Sequence, residues 1–233
     1  MTGKQNEIVE NNIRTIQEKI RHIADKKLHF GLYQNGSGMV EINNERITLY
    51  YYDENDRVFI PIARHSENPA YLTPGRSAYP IDQGVIGEAW KQGHSFKNQY
   101  TDPTKKIDLY YQQLAKERIK KEVAEKFVMK ARLIFGYRLK DGDKNKPTAI
   151  IVVESTIKER YTEDELMDAF NSCEDVFYQN ISRVLRSIIP SIKAKLYPNN
   201  NNDKKTIAGK GTTNPLKDAE LSPDPDKATK MGY

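Results

Sequence analysis

What the chain has little of narrows its class first. It holds one cysteine, Cys173, in 233 residues. That excludes a disulfide framework within the chain and a zinc site built on several thiolates. A dithiol redox cycle also needs a second thiol, which the sequence does not supply. Long apolar runs are missing too. The longest strongly apolar stretch is residues 149–153, far short of the roughly 20 residues that span a bilayer. The first residues are polar and contain no signal-peptide core. The expectation is a soluble cytoplasmic protein that does not engage a membrane. Several catalytic signatures are absent: the phosphate loop Gly-x-x-x-x-Gly-Lys, the dinucleotide Gly-x-Gly-x-x-Gly and the Gly-x-Ser-x-Gly turn. A strong charge bias is absent as well. Lys and Arg number 37 against 32 Asp and Glu, an excess of 37 − 32 = 5 spread along the chain. The densest basic run, residues 116–130, is interleaved with Glu117, Glu122 and Glu125. That is the pattern of a solvated helix face, so nucleic acid is not an expected partner. The four histidines, His22, His29, His65 and His94, are dispersed, and neither metal nor haem is expected from them.

What is present is a mixed pattern of helices and strands. Val9, Ile13, Ile16, Ile20 and Ile23 step by four, three, four and three across residues 7–28. This is an amphipathic helix with a two- to three-heptad coiled-coil stripe. It packs either on its own domain or across a dimer. Residues 35–38 hold a Gly-Ser-Gly turn. Residues 46–52 and 57–62 read as an antiparallel hairpin around the polar turn 53–56, with Pro61 marking an edge or strand-end position. Residues 65–79 form a loop. Gly84 and Gly87 open a short apolar helix carrying Val85, Ile86, Ala89 and Trp90, which Gly93 closes before a strand at 94–98. A charged helical insert follows at 107–127. Residues 130–139 alternate, with Ala131, Leu133, Phe135, Tyr137 and Leu139 on one face. Residues 148–154 are apolar on both faces and belong in the centre of a sheet. Thr162 and Glu165 form a capping box. The helix they open carries Leu166, Phe170, Cys173, Phe177, Ile181, Val184 and Ile188 as one stripe, ended or kinked at Pro190. Residues 198–233 are too polar to offset their ordering entropy and read as a disordered tail.

This order resembles the GAF family over roughly residues 8–189. Three stretches carry the likeness: Ile81-Asp82-Gln83-Gly84-Val85-Ile86-Gly87 with its helix closed by Gly93, the strand Ala149-Ile150-Ile151-Val152-Val153-Glu154-Ser155, and Tyr161-Thr162-Glu163-Asp164-Glu165-Leu166 opening the last helix. Two departures are Gly136, where a proline is usual, and the long insert at 101–129. The resemblance implies an α+β sandwich of GAF-like or PAS-like kind. Its central antiparallel sheet has about six strands, with N- and C-terminal helices on one face and a ligand pocket on the other. The domain is then residues 31–197, with the helix of residues 1–30 belonging to it and the tail at 198–233.

The resemblance further implies a sensory or regulatory module that binds a small ligand and signals to a separate partner protein. Such modules form homodimers through their terminal helices, so Ile13, Ile16, Ile20, Ile23, Phe170, Phe177, Ile181 and Val184 become dimer candidates. A ligand-free scaffold is the alternative, and an enzyme of unrecognised type on this fold is a third reading. The expectation is that the chain is not an enzyme: Cys173 sits in an apolar stripe, and no cofactor, metal ligand or catalytic residue stands out. Arg132 and Arg138 lie on the strand face opposite the bulky residues. There they would either fork onto a carboxylate or phosphate ligand or sit in solvent or internal ion pairs. Tyr50, Tyr52, Phe59 and Trp90 complete the candidate ligand-binding set, as pocket wall or as plain core.

Overall fold

Six segments pair edge to edge into one antiparallel sheet. The computed structural model describes residues 3–35, 38–41, 43–73, 75–141, 146–173 and 175–196. Helix α1 (Gly3–Lys26) leads into a hairpin of β1 (Leu32–Asn35) and β2 (Gly38–Glu41). The main sheet is built from β3 (Glu45–Asp53), β4 (Val58–His65), β5 (Tyr79–Pro80), β6 (His94–Lys97), β7 (Leu133–Asp141) and β8 (Lys146–Ser155). Their spatial order is β5-β4-β3-β8-β7-β6. Helix α2 (Gly84–Gln92) joins β5 to β6, and α3 (Ile107–Lys116) and α4 (Lys121–Ala124) lie between β6 and β7. Helices α5 (Glu163–Asn171) and α6 (Asp175–Leu196) follow β8. The chain divides into two units, residues 1–191 and 192–233, and of the second only residues 192–196 are described. The division falls six residues before the expected boundary at 197/198, and the tail reading lies outside the described residues.

One face of the sheet is covered by α1, α5 and α6. Ile47 and Leu49 of β3, Ile60 of β4, Leu133 and Phe135 of β7, and Ile151 and Val153 of β8 are all buried. Helix α1 lies against β3 and β4, and α5 lies against β7. The Phe170 ring sits 5.6 Å from Phe135 and 5.0 Å from Tyr137. Helix α6 reaches the same face, where the Tyr178 and Tyr137 rings are 6.1 Å apart. Ile16, Ile20, Ile23, Phe170 and Ile181 are each 0% exposed in the single chain. The apolar stripes expected to pair across a dimer are therefore consumed by the chain's own core. Only Ile13, Phe177 and Val184 of that set remain partly accessible.

Alternate residues face the other way. Tyr50, Phe59, Ala89, Ile150 and Val152 form a second buried cluster, with Trp90, Tyr52 and Ile134 against it. β8 is therefore covered on both sides, as its unbroken apolar run requires. Helix α2 can lie on this face because two positions lack a side chain. A Cβ at Gly136 of β7 would stand 2.7 Å from the Ala89 Cβ, and one at Gly87 would stand 2.5 Å from the Ile81 carbonyl oxygen. The departure at Gly136 is thus what admits the helix.

Local details differ from the sequence pattern in physically readable ways. The capping box holds: Thr162 Oγ1 accepts from the Glu165 N–H at 3.2 Å, and Glu165 Oε2 accepts from the Thr162 N–H at 2.8 Å. The helix it opens stops at Asn171 rather than running on to Pro190. Ser172 Oγ donates to the Ala169 carbonyl at 3.0 Å, and Tyr178 Oη donates to the Phe170 carbonyl at 2.6 Å. Side chains thus satisfy the orphan carbonyls that would otherwise continue the helix. Cys173 falls in this break, not in the stripe, and is half-buried. Pro190 lies inside α6 with its ring on the exposed side, so the helix tolerates the lost N–H and does not end there. The charged insert is two helices, not one, because Arg118 takes a positive φ of 61° between them.

One buried polar junction ties the ends of the domain together. Glu45 is 2% exposed, yet its carboxylate accepts from Arg160 Nε, from the Gly31 N–H at 3.2 Å and from Tyr161 Oη at 3.3 Å. Arg160 Nη2 also donates to the carbonyls of His29 at 3.0 Å and Leu32 at 2.6 Å.

Candidate functional site

The face opposite α1 carries a cavity of about 430 Å³. Arg46 and Tyr50 of β3, Arg64 of β4 and Glu154 of β8 form its floor, and Thr73, Gly75, Arg76, Tyr79, Val123 and residues 126–129 form its walls. The placement follows from strand alternation. Ile47, Leu49 and Val153 turn toward the helices, so Arg46, Thr48 and Glu154 turn away.

The floor is closed by a bidentate pair. Arg46 Nε and Nη2 donate to the two Glu154 oxygens at 2.7 Å each, with both side chains 12% exposed. Burial alone would pull the Arg46 pKa down, but the Glu154 charge and hydrogen bonds outweigh it and the net shift is upward. Beside this pair, Arg64 Nε donates to Thr48 Oγ1 at 3.2 Å and Nη1 to the Thr73 carbonyl at 2.5 Å. Arg76 Nη1 donates to Gln83 Oε1 at 3.0 Å, and its guanidinium lies 4.3 Å from the Tyr79 ring centroid and 5.7 Å from that of Phe127. Arg76 Nε is buried without a partner. Burial pushes the Arg76 pKa down. Among the described residues, no carboxylate is within ion-pair distance of Arg64 or Arg76. Tyr50 meets Tyr79 edge to face at 5.1 Å, and burial, then the neighbouring Tyr79, pushes its hydroxyl pKa up. The cavity is thus basic and aromatic, with two guanidinium groups that only neutral groups contact among the described residues.

The candidate residues read from the sequence are placed as follows. Tyr50 lines the cavity. Tyr52, Phe59 and Trp90 lie on the same face but form an adjoining packed cluster, with Trp90 centred 4.3 Å from Tyr52 and 5.4 Å from Phe59. They hold α2 to the sheet. Arg138 does not reach the cavity. Its Nη1 donates to the Trp90 carbonyl, and to the Lys91 carbonyl at 3.4 Å, so it closes the C-terminal end of α2. Arg132 lies elsewhere, 3.8 Å from Asp102 at a shallower depression with Tyr71, Thr104 and Lys130. The two arginines do not converge, so the expected fork is not formed by them.

The sequence reading missed Arg46, Arg64, Arg76 and Glu154. A signal existed for two of them: Arg46 and Glu154 are charges at the ends of apolar strands that pair directly in register. The structure also brings Asp25, His65 and Glu67 within ligand distance of one another, a grouping that spacing along the chain does not reveal. Among the described residues, no helix is long and apolar enough to cross a membrane.

Comparison with known proteins returned structural likeness only. No family model matches the sequence, and no curated protein does. The GAF domain of an Acinetobacter phosphoenolpyruvate-protein phosphotransferase is similar at 11% identity, covering 82% of this chain and 99% of that one, with a TM-score of 0.45. The GAF domain of a two-component sensor histidine kinase from Bacillus halodurans is similar at 14% identity over 71% and 95%, with a TM-score of 0.44. A type II free methionine-R-sulfoxide reductase from Thermoplasma acidophilum is similar at 8% identity over 77% and 96%, with a TM-score of 0.47. The last overturns the expectation that the chain is not an enzyme, since the same kind of fold is shared by an enzyme. The six-stranded antiparallel sheet, with terminal helices on one face and a cavity on the other, makes this a protein of GAF-like fold.

Proposed function

We propose that the chain is a ligand-binding module whose cavity takes a small anion carrying a flat ring. The observation that carries this reading is the pair Arg64 and Arg76, two guanidinium groups without a carboxylate beside a floor already neutralised by Arg46 and Glu154. A carboxylate or phosphate would accept charge-assisted hydrogen bonds from them, and Tyr50, Tyr79 and Phe127 would contact the ring. Thr73, Gly75 and Arg76, together with residues 126–129, line the cavity without belonging to the sheet. A ligand bridging them to the floor would favour one arrangement of these walls over others. A partner protein reading that arrangement would be regulated by population shift.

The test is native mass spectrometry of the untagged chain for a retained small molecule. Thermal shift and calorimetry then follow with inorganic phosphate, 4-hydroxybenzoate and adenosine monophosphate as probes. The ring-bearing anions should raise the melting temperature more than phosphate. Arg64→Ala and Arg76→Ala should each weaken binding by roughly ten- to a hundredfold. If no probe binds, or the double variant binds every probe as the wild type does, the reading is wrong.

A further inference from the structure

We propose that Asp25, His65 and Glu67 form a divalent-metal site of the zinc class where the end of α1 meets the end of β4. Asp25 lies in the last turn of α1, His65 is the final residue of β4, and Glu67 follows two residues later. The contact of α1 with β4 brings together residues 40 positions apart in the chain (65 − 25). His65 Nε2 is 3.5 Å from Asp25 Oδ1 and 3.3 Å from Glu67 Oε1. One ligand atom from each of the three residues lies within 4.8 Å of the others.

These spacings suit a metal better than they suit hydrogen bonds. Zinc–ligand bonds of about 2.0–2.2 Å place neighbouring corners of a tetrahedron about 3.4 Å apart. The two measured separations are close to that edge. A single N–H aims at one acceptor, whereas this nitrogen lies between two carboxylates. It is buried and makes no hydrogen bond of acceptable geometry.

The surroundings also orient the donors. The imidazole is stacked on Phe30, with centroids 6.3 Å apart and planes within 17°. Arg21 Nε donates to Asp25 Oδ2 at 3.2 Å, which fixes that carboxylate and leaves Oδ1 facing His65. The two carboxylates balance the ion's double charge. One imidazole and two carboxylates suit zinc with water in the fourth position, whereas calcium requires six to eight oxygens. The Glu67 side chain is 45% exposed, so an ion can reach the site from solvent.

The site is separate from the anion cavity. Arg64 lines that cavity, whereas His65, its neighbour, faces α1, as adjacent strand residues must.

The test uses the untagged full chain, stripped with a chelator and titrated with zinc chloride by calorimetry, with native mass spectrometry for stoichiometry. One ion per chain is expected. His65→Ala and Glu67→Gln should each weaken binding at least tenfold, with circular dichroism to check the fold. Glu67→Gln changes an exposed loop residue and keeps the test decisive if His65→Ala does not fold. Co²⁺ in place of zinc should give the visible absorption of a four-coordinate ion, lost in Glu67→Gln. Cys173→Ser should bind as the wild type does. No zinc uptake, wild-type affinity in Glu67→Gln, or loss of binding in Cys173→Ser would each overturn the proposal.

Discussion

The two faces of the sheet are built from the same strands and solve opposite problems. Toward α1, α5 and α6 the centre of the sheet is aliphatic or phenyl and wholly buried: Ile47, Leu49, Ile151, Val153, Phe135 and Phe170 are all 0% exposed. Toward α2 and the insert, the neighbouring residues are Arg46, Thr48, Tyr50 and Glu154, and a cavity remains. A one-residue step along β3 or β8 separates the two environments. The helix-covered face supplies stability through packing. The opposite face holds charge that is only partly neutralised, and that imbalance is what a ligand could complete.

The largest break in this contrast should come from the packed side. Phe170→Ala removes a fully buried ring that contacts Phe135 and Tyr137. It should cost about 3–5 kcal/mol in urea unfolding. A loss under 1 kcal/mol would mean that this face is not the stabilising one. Next comes the opposite floor. Glu154→Gln leaves Arg46 with no carboxylate in a largely buried position. The loss should be about 3 kcal/mol, mostly recovered when Arg46→Met is combined with Glu154→Met. The single variant should also bind 4-hydroxybenzoate more tightly, because Arg46 is released. Unchanged or weaker binding would separate this pair from the ligand site.

The smallest effect per residue sharpens the comparison through pH. Burial pushes the hydroxyl pKa values of Tyr161 and Tyr178 upward on one side, and those of Tyr50, Tyr100 and Tyr110 on the other. Folded tyrosines keep their protons where unfolded ones ionise near pH ~10. Their contribution is therefore complete below that pH and is lost as pH rises toward the folded values. Each such group should add a slope of ~1.4 kcal/mol per pH unit above pH ~10. Denaturation midpoints between pH 8 and 12 would measure it. Tyr161→Phe and Tyr50→Phe should each remove one share, and an unchanged slope in both would refute the assignment.

Much of the fold was legible because it is encoded locally. Alternation in residues 46–52 and 130–139, the two-sided apolar run at 148–154 and the Thr162–Glu165 box each announce their element. The hairpin of β1 and β2 was not legible, since strands of four residues are too short to show a period. The break after α5 was hidden because Phe170, Phe177 and Ile181 keep helical spacing across it, while the stop comes from side chains bonding carbonyls. Of the candidate site residues read from the sequence, only Tyr50 lines the cavity. The family resemblance implied a pocket on the face away from α1, where a cavity lies, but the fork expected of Arg132 and Arg138 is not formed. Which arginines line the cavity depended on chain paths that the pattern does not show: Arg76 stands at its wall, while Arg138 is drawn aside by the end of α2.

The junction at Arg160 has a consequence for the order of folding. Its guanidinium binds the carbonyls of His29 and Leu32, segments 131 and 128 residues earlier in the chain. Glu45, which anchors the same corner, lies 115 residues before it. A chain emerging N-terminus first must therefore leave the end of α1 without its anchor until residue 160 arrives. Closing so distant a loop is slow, and it is favourable only after the intervening sheet has brought the two ends close. The end of α1 is thus among the last parts of the domain to be secured, and truncations that stop before residue 160 should leave it open to proteases even where the early strands have paired.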